Sequence, residues 1–311
     1  MVDEKKRALN YRQAIFADDK QDDLEAVVRG ILKKASSVAG RRTAHEDGPT
    51  TEIRHAKTNS KHGVYIHIAW YTPAEKTSVV PIAKPEDEER DLETRGAPRG
   101  TEYMDGDACV LIRRNDVLLT AHNFGDGRFE AFISELGHKL DPDKLGVSFG
   151  LTKKIKRTML EKLLRDGVKR VMLDVAEFGQ EIEHMERKTV SQNLRDGVLD
   201  LLNAYFGRDP GMEDLSDAEN MTARLTIIYD RRKKGKIEAD DFATLGRALV
   251  EEGAAGYTIV TTSGETITER QMVVRGSAMI EAHGKSVQYT AAWAALYGFY
   301  ESLCGKGIIK E

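Results

Sequence analysis

Apolar positions along this chain recur with two different periods, and the places where one gives way to the other mark out its elements. Residues 8–16 alternate as a strand, whereas in residues 22–34 Leu24, Val27, Val28, Ile31 and Leu32 recur at helical spacing. Residues 51–58 and 63–71 read as paired strands, because VYIHIAWY is too short and too rich in β-branched and aromatic residues for a helix. A strand over residues 77–82 would complete a meander. Residues 85–100 then supply prolines and charges with almost no apolar residue, which predicts a surface loop.

The stretch DGDACVLIRRNDVLLTAHNF predicts a hairpin, with two apolar runs flanking Arg114, Asn115 and Asp116. After it, Asp126 is the expected N-cap of a helix whose inner stripe is Phe129, Phe132, Ile133 and Leu136. A helix from near Thr152, a strand over 168–175 and a helix over 190–205 complete the middle of the chain. The acidic, proline-broken GRDPGMEDLSDAEN is the expected linker, dividing an N-terminal α+β domain, residues 1–210, from a C-terminal one, residues 211–311. Beyond it the pattern predicts a strand over 223–229, a basic loop, a helix over 239–251, strands over 257–261 and 266–274 about a Ser263-Gly264 turn, and a long final helix. The fold class is therefore α+β: two domains of mostly antiparallel sheets covered by helices.

That final helix is apolar over most of its circumference, with Tyr289, Trp293, Tyr297 and Tyr300 on one stripe and Ala292, Leu296, Phe299 and Leu303 beside it. It is expected either at the centre of the second domain or partly covered by a second copy in a twofold homodimer.

Charge changes the picture more than composition does. The 311 residues are 32% charged and 40% hydrophobic, enough apolar content to fold, and the net charge is only −4. Any basic surface must therefore be local. In LTIIYDRRKKGKIEADDF, Arg231, Arg232, Lys233, Lys234 and Lys236 have only Asp230 and Glu238 close by in sequence. In TKKIKRTMLEKLLRDGVKR a helix over 153–165 would bury Ile155, Met159, Leu160, Leu163 and Leu164. Lys154, Arg157, Lys162 and Arg165 are then left towards the outer faces, in a basic segment that also holds Lys153, Lys156, Lys169 and Arg170. The acidic residues concentrate elsewhere, in 85–93 and 209–219, so the charge is segregated as a polyanion-binding surface requires. An ordinary solvated face is the competing reading of either stretch alone. No zinc-finger spacing, basic-zipper heptad or RNA-recognition motif accompanies them, which points to duplex DNA bound through its phosphates.

Catalytic constellations are sparse. Asp174 followed by Glu186 and Lys188 has the order of a metal-dependent nuclease, but QEIEHMERKT is too polar for the buried strand that chemistry needs. His55, His62 and His67 share one strand region with no Cys or carboxylate at ligand spacing along it, so no metal site is expected. His67 and His122 read as structural strand histidines. FGDGRF and CGKG lack the further glycines of phosphate-cradling loops, and no serine or cysteine nucleophile stands out. The expectation is a non-enzymatic protein without cofactor. Cys109 and Cys304 stand far apart with no metal spacing, as in a reducing compartment, and neither a signal core nor a membrane-spanning run is present. A cytoplasmic location and no membrane insertion are expected.

RNDVLLTAHNFGDGRFEAFISEL, LTIIYDRRKKGK, YTIVTTSGETITE and the final AAWAALYGFYESL together resemble, as a succession of element types after about residue 100, the RexA family of phage-exclusion proteins. The resemblance implies a two-domain, non-enzymatic protein of bacterial antiphage defence (abortive infection) that forms homodimers and binds double-stranded DNA without strong sequence preference. RNA is the alternative polyanion, and a second defence-system protein a further implied partner. The other two readings are a nuclease effector using Asp174, Glu186 and Lys188, and a protein-interaction adaptor or sensor whose charges keep it in solution.

Overall fold

The computed structural model describes residues 3–16, 23–44, 48–58, 61–82, 91–174, 224–228, 246, 250 and 256–309. The fold is α+β, and every strand pairing among these residues is antiparallel. The chain divides into two compact units: unit 1, Met1–Lys153 with Arg275–Glu311, and unit 2, Lys154–Val274. The boundary expected near residue 210 falls outside the described residues.

Unit 1 is built on a nine-stranded sheet. Its strands are β1 (Glu4–Phe16), β2 (Arg42–Ala44), β3 (Thr50–Lys57), β4 (Val64–Tyr71), β7 (Gly106–Arg113), β8 (Asp116–His122), β9 (Phe149–Lys153), β14 (Arg275–His283) and β15 (Ser286–Val287). They run in the order β15-β14-β1-β8-β7-β4-β3-β2. β1 is long enough to hold two partners end to end along one edge, β14 opposite Glu4 to Asn10 and β9 opposite Arg12 to Phe16. Lys153 pairs with Arg12 and Arg275 with Asn10, so the chain leaves this sheet and returns to it two residues apart on one strand. Unit 2 is thus an insertion between β9 and β14. Its first and last residues also pair with each other: Val274 N donates to Lys154 O at 2.8 Å, and Lys156 N to Met272 O at 2.8 Å.

Alternation gives the large sheet two different faces. On one, Val64, Ile66 and Ile68 of β4, Ala108, Val110 and Ile112 of β7, and Val117 and Leu119 of β8 join one core with α1 (Leu24–Lys34) and α2 (Asp126–Leu140). α1 is capped by Asp23, whose side chain accepts from Ala26 N, and it buries the five apolar residues its periodicity predicted. The expected N-cap Asp126 is instead the first residue of α2, after Gly125. There it pairs with Arg12 at 2.5 Å rather than capping its own helix.

The opposite face is covered by the C-terminal helix, α5 (Tyr289–Gly305). It buries Ala292, Trp293, Leu296, Tyr300 and Leu303, and Trp293 Nε1 donates to Ile66 O at 3.2 Å. This helix therefore belongs to the core of unit 1 and not to a C-terminal domain. Its aromatic stripe finds partners within the chain: Tyr289 stacks on His55 at 4.0 Å, Tyr297 meets His62 at 4.5 Å, Trp293 meets Tyr65 at 5.7 Å, and Arg113 lies over Tyr300 at 5.1 Å.

Several elements differ from expectation for reasons of long-range pairing. β5 (Lys76–Val79) does not extend the meander but pairs with β6 (Glu93–Gly96), a strand inside the expected loop, as a separate two-stranded sheet. In the β7–β8 hairpin the left-handed residue is Arg114, with φ 52°, not Asn115 or Asp116. Asn115 faces α1, where its side chain accepts from Leu24 N. The helix expected from Thr152 starts later, as α3 (Arg157–Asp166), because Phe149–Lys153 is claimed by the free edge of β1. Of its expected inner stripe only Leu163 is buried, and Leu164 is 47% exposed.

In unit 2, β10 (Val168–Asp174), β11 (Arg224–Ile228), β12 (Tyr257–Thr261) and β13 (Thr266–Thr268) form a four-stranded sheet in the order β11-β10-β12-β13. The strand expected over 266–274 is broken by α4 (Glu269–Met272), which a Thr268–Gln271 capping box starts. Val171, Ile259 and Ile267 align across one face and are buried, together with Val168, Leu163 and Met272. Among the described residues no helix is long and apolar enough to cross a membrane.

Candidate functional site

The sequence singled out two basic segments, and the register of the smaller sheet sets where the described one lies. Arg170 on β10 pairs with Ile228 on β11, and Val168 with Thr261 on β12. The start of β10, the end of β11 and the β12–β13 turn therefore share one end of the sheet. A bulge at Lys169 takes that exposed residue out of the ladder. The same end receives the C-terminus of α3, where Thr262 N donates to Gly167 O at 3.2 Å and Lys162 Nζ reaches Glu265 at 2.6 Å. Arg165, exposed, pairs with its neighbour Asp166 at 3.1 Å. Arg170 is half-buried, and its Nε has no hydrogen-bond partner among the described residues.

Arg231, Arg232, Lys233, Lys234 and Lys236 lie outside the described residues, beginning three positions after Ile228. The four predicted positions at the other end of α3 are not brought to this place. Lys153 ends β9 in unit 1, Lys154 is exposed, Lys156 Nζ donates to Gln271 O at 3.0 Å, and Arg157 is drawn to Glu161 at 2.9 Å. Arg157 and Asp166 stand at opposite ends of this ten-residue helix, about 13.5 Å apart along its axis. Arg165, Lys169 and Arg170, neighbours in sequence, are thus the basic residues of this segment at the end of the sheet where β11 finishes, whereas sequence periodicity had weighted the start of the segment. Of the nuclease alternative, Asp174 ends β10 opposite Arg224, and Glu186 and Lys188 lie outside the described residues.

Among the described residues, one face of this sheet is part-exposed. Pairing aligns Arg170 with Ile228 and Val260, and Met172 with Thr226 and Thr258. Thr226 and Ile228 are exposed, and none of the six is aromatic.

Unit 1 holds a second polar constellation, which reading along the chain missed. Register aligns His55, His67, Cys109 and Thr120 in one row across β3, β4, β7 and β8, on the face covered by α5. Asp107, two residues before Cys109 and so on the same face, lies 3.2 Å from His67 Nε2 and accepts from the Ser286 hydroxyl. Asp107, Cys109, Thr120 and Ser286 are all buried. Burial first, then the Asp107 charge, push the Cys109 thiol well above its ordinary range, against a smaller opposing effect of Arg7. Burial, with His67 and Arg54 nearby, holds His55 below the usual imidazole value. The histidines lacked a carboxylate and a cysteine along their own strands, but the neighbouring strand supplies both. The one signal for this in the sequence was an aspartate and a cysteine at alternate positions of the apolar run DACVLI.

In comparisons with protein-family models and with curated proteins, neither matches this chain.

Proposed function

We propose that this chain binds double-stranded DNA without sequence preference and without enzymatic chemistry, through the basic end of the sheet in unit 2. Its resemblance to the RexA family supports a role for that activity in bacterial antiphage defence. The observation that carries the reading is the register of Arg170 with Ile228. It sets Arg165, Lys169 and Arg170 beside the strand end from which the chain runs into Arg231, Arg232, Lys233, Lys234 and Lys236. Chain connectivity alone keeps Arg231 within about 11 Å of Ile228. This register supports the reading that two basic segments far apart in sequence serve one patch, in a protein whose net charge is −4.

Side chains of this kind neutralise phosphates, which fixes position on a duplex and carries no base information. Of the other positions in this segment, Lys154, Lys156 and Arg157 lie at or just before the opposite end of α3.

A mobility-shift titration with two unrelated duplexes of equal length, with and without Mg²⁺, tests this. Equal affinity for both and intact DNA are expected. Binding to neither removes the reading, and Mg²⁺-dependent cleavage abolished by Glu186→Ala replaces it with the nuclease.

A further inference from the structure

We propose that His67, Asp107 and Cys109 form a binding site for one divalent transition-metal ion of zinc's class. One ligand atom from each lies within 4.8 Å of the others, on adjacent strands β4 and β7. An imidazole nitrogen, a carboxylate oxygen and a thiolate sulfur make a borderline-soft donor set, suited to Zn²⁺ or Co²⁺. Mg²⁺ and Ca²⁺, which need several oxygen ligands, are excluded by the single carboxylate.

Three features of the surroundings fit an ion. The first is charge balance: a dication against the Asp107 carboxylate and the Cys109 thiolate leaves a buried site with no net charge, where an unpaired buried charge costs several kcal/mol or more. The second is support for the carboxylate, which the buried Ser286 hydroxyl holds from another strand, as outer partners commonly orient metal-binding groups. The third is a pair of buried polar atoms with no hydrogen-bond partner among the described residues, His67 Nδ1 and Thr120 Oγ1. Thr120, 3% exposed, is the cross-strand neighbour of Cys109. Buried hydroxyls are rarely left unpartnered, and a metal-bound thiolate is a far better acceptor for this one than a neutral thiol. His67 is the most exposed of the three ligands, at 15% of its side chain, and its ring stacks on His55 with centroids 5.6 Å apart.

The test is a Co²⁺ titration of the full chain after chelator treatment, followed by absorption and then by Zn²⁺ competition. The expected result is one Co²⁺ per chain, a thiolate-to-cobalt charge-transfer band, and displacement by Zn²⁺. The band should persist in Cys304→Ala and vanish in Cys109→Ala. In His67→Gln, which spares the sulfur, affinity should fall at least about tenfold. No saturable band in the wild-type chain overturns the proposal, as does a band that survives Cys109→Ala or is lost with Cys304→Ala. None of these outcomes depends on DNA binding, so this proposal and the DNA-binding reading fail separately.

Discussion

Removing the carboxylate of Asp126 tests the core face of unit 1 most severely. Arg12 lies in the middle of β1 with only 9% of its side chain exposed, and Asp126 is its ion-pair partner at 2.5 Å. Its other described contact is a hydrogen bond from one terminal nitrogen to Tyr11 O at 3.0 Å. In Asp126→Ala the guanidinium stays charged, buried and short of one acceptor. Loss of one partner of a buried pair costs about 3–5 kcal/mol, and the remaining carbonyl contact argues for the lower end, about 3 kcal/mol. The reverse change is milder, because Asp126 is 26% exposed and sits in the first turn of α2, where water and the helix N–H groups solvate its charge. Arg12→Met, which keeps most of the side chain's volume, should cost about 1 kcal/mol. Urea unfolding followed by tryptophan fluorescence reads this directly, since Trp70 and Trp293, the only tryptophans, both belong to unit 1. With a slope of about 2 kcal/mol per molar urea, Asp126→Ala should lower the midpoint by about 1.5 M and Arg12→Met by about 0.5 M. A midpoint for Asp126→Ala within about 0.3 M of wild type, or a larger loss in Arg12→Met, would refute the asymmetry.

Other consequences follow from the same packing. A methyl group added at Gly137, inside α2, would sit 2.0 Å from the Leu145 carbonyl oxygen, so Gly137→Ala should destabilise unit 1 by about 1–3 kcal/mol despite alanine's helix preference; an unchanged or raised urea midpoint contradicts this. Cys109 is buried and its thiol is pushed up, whereas Cys304 is partly exposed. A thiol reagent at pH 8 should label Cys304 in the native chain and reach Cys109 only in denaturant, as peptide mass mapping would show. Tyr11 donates to Asp116 at 2.6 Å, and burial first, then this hydrogen bond, push its phenol well above its ordinary 10.0. The unfolded chain therefore loses this proton first, and the contribution to stability is full below pH 10 and declines as pH rises above it. The fall in urea midpoint between pH 8 and 10.5 should be smaller in Tyr11→Phe than in wild type; equal falls count against the assignment.

How far these features were legible depended on sequence distance. The amphipathic spacing of Leu24 to Leu32 and of Phe129 to Leu136, and the short β-branched and aromatic run VYIHIAWY, are local signals, and the structure uses them as written. Periodicity failed where partners are remote. Phe149–Lys153 runs into a helical pattern, yet the unpaired edge of β1, over a hundred residues earlier, makes it a strand. The same remoteness hid the insertion, since nothing near Glu4 announces a partner at Glu281. The final helix shows an apolar circumference in sequence, but only the topology says that unit 1 covers it. For the candidate sites the limit was register. A row such as His55, His67, Cys109 and Thr120 exists only once three strand pairings are fixed, and Arg170 beside Ile228 only once a fourth is.

The salt dependence of duplex binding tests the central claim most directly. Fluorescence anisotropy of a labelled duplex, titrated at several salt concentrations, gives a slope of log affinity against log salt of about −0.9 for each phosphate neutralised. The combined variant Arg165→Gln, Lys169→Gln, Arg231→Gln and Lys233→Gln should flatten that slope by about 3–4 units, while Lys154→Gln with Arg157→Gln changes it by less than about 1. Equal slopes in wild type and the first variant, or the larger change in the second, would contradict a duplex-binding patch at this end of the sheet.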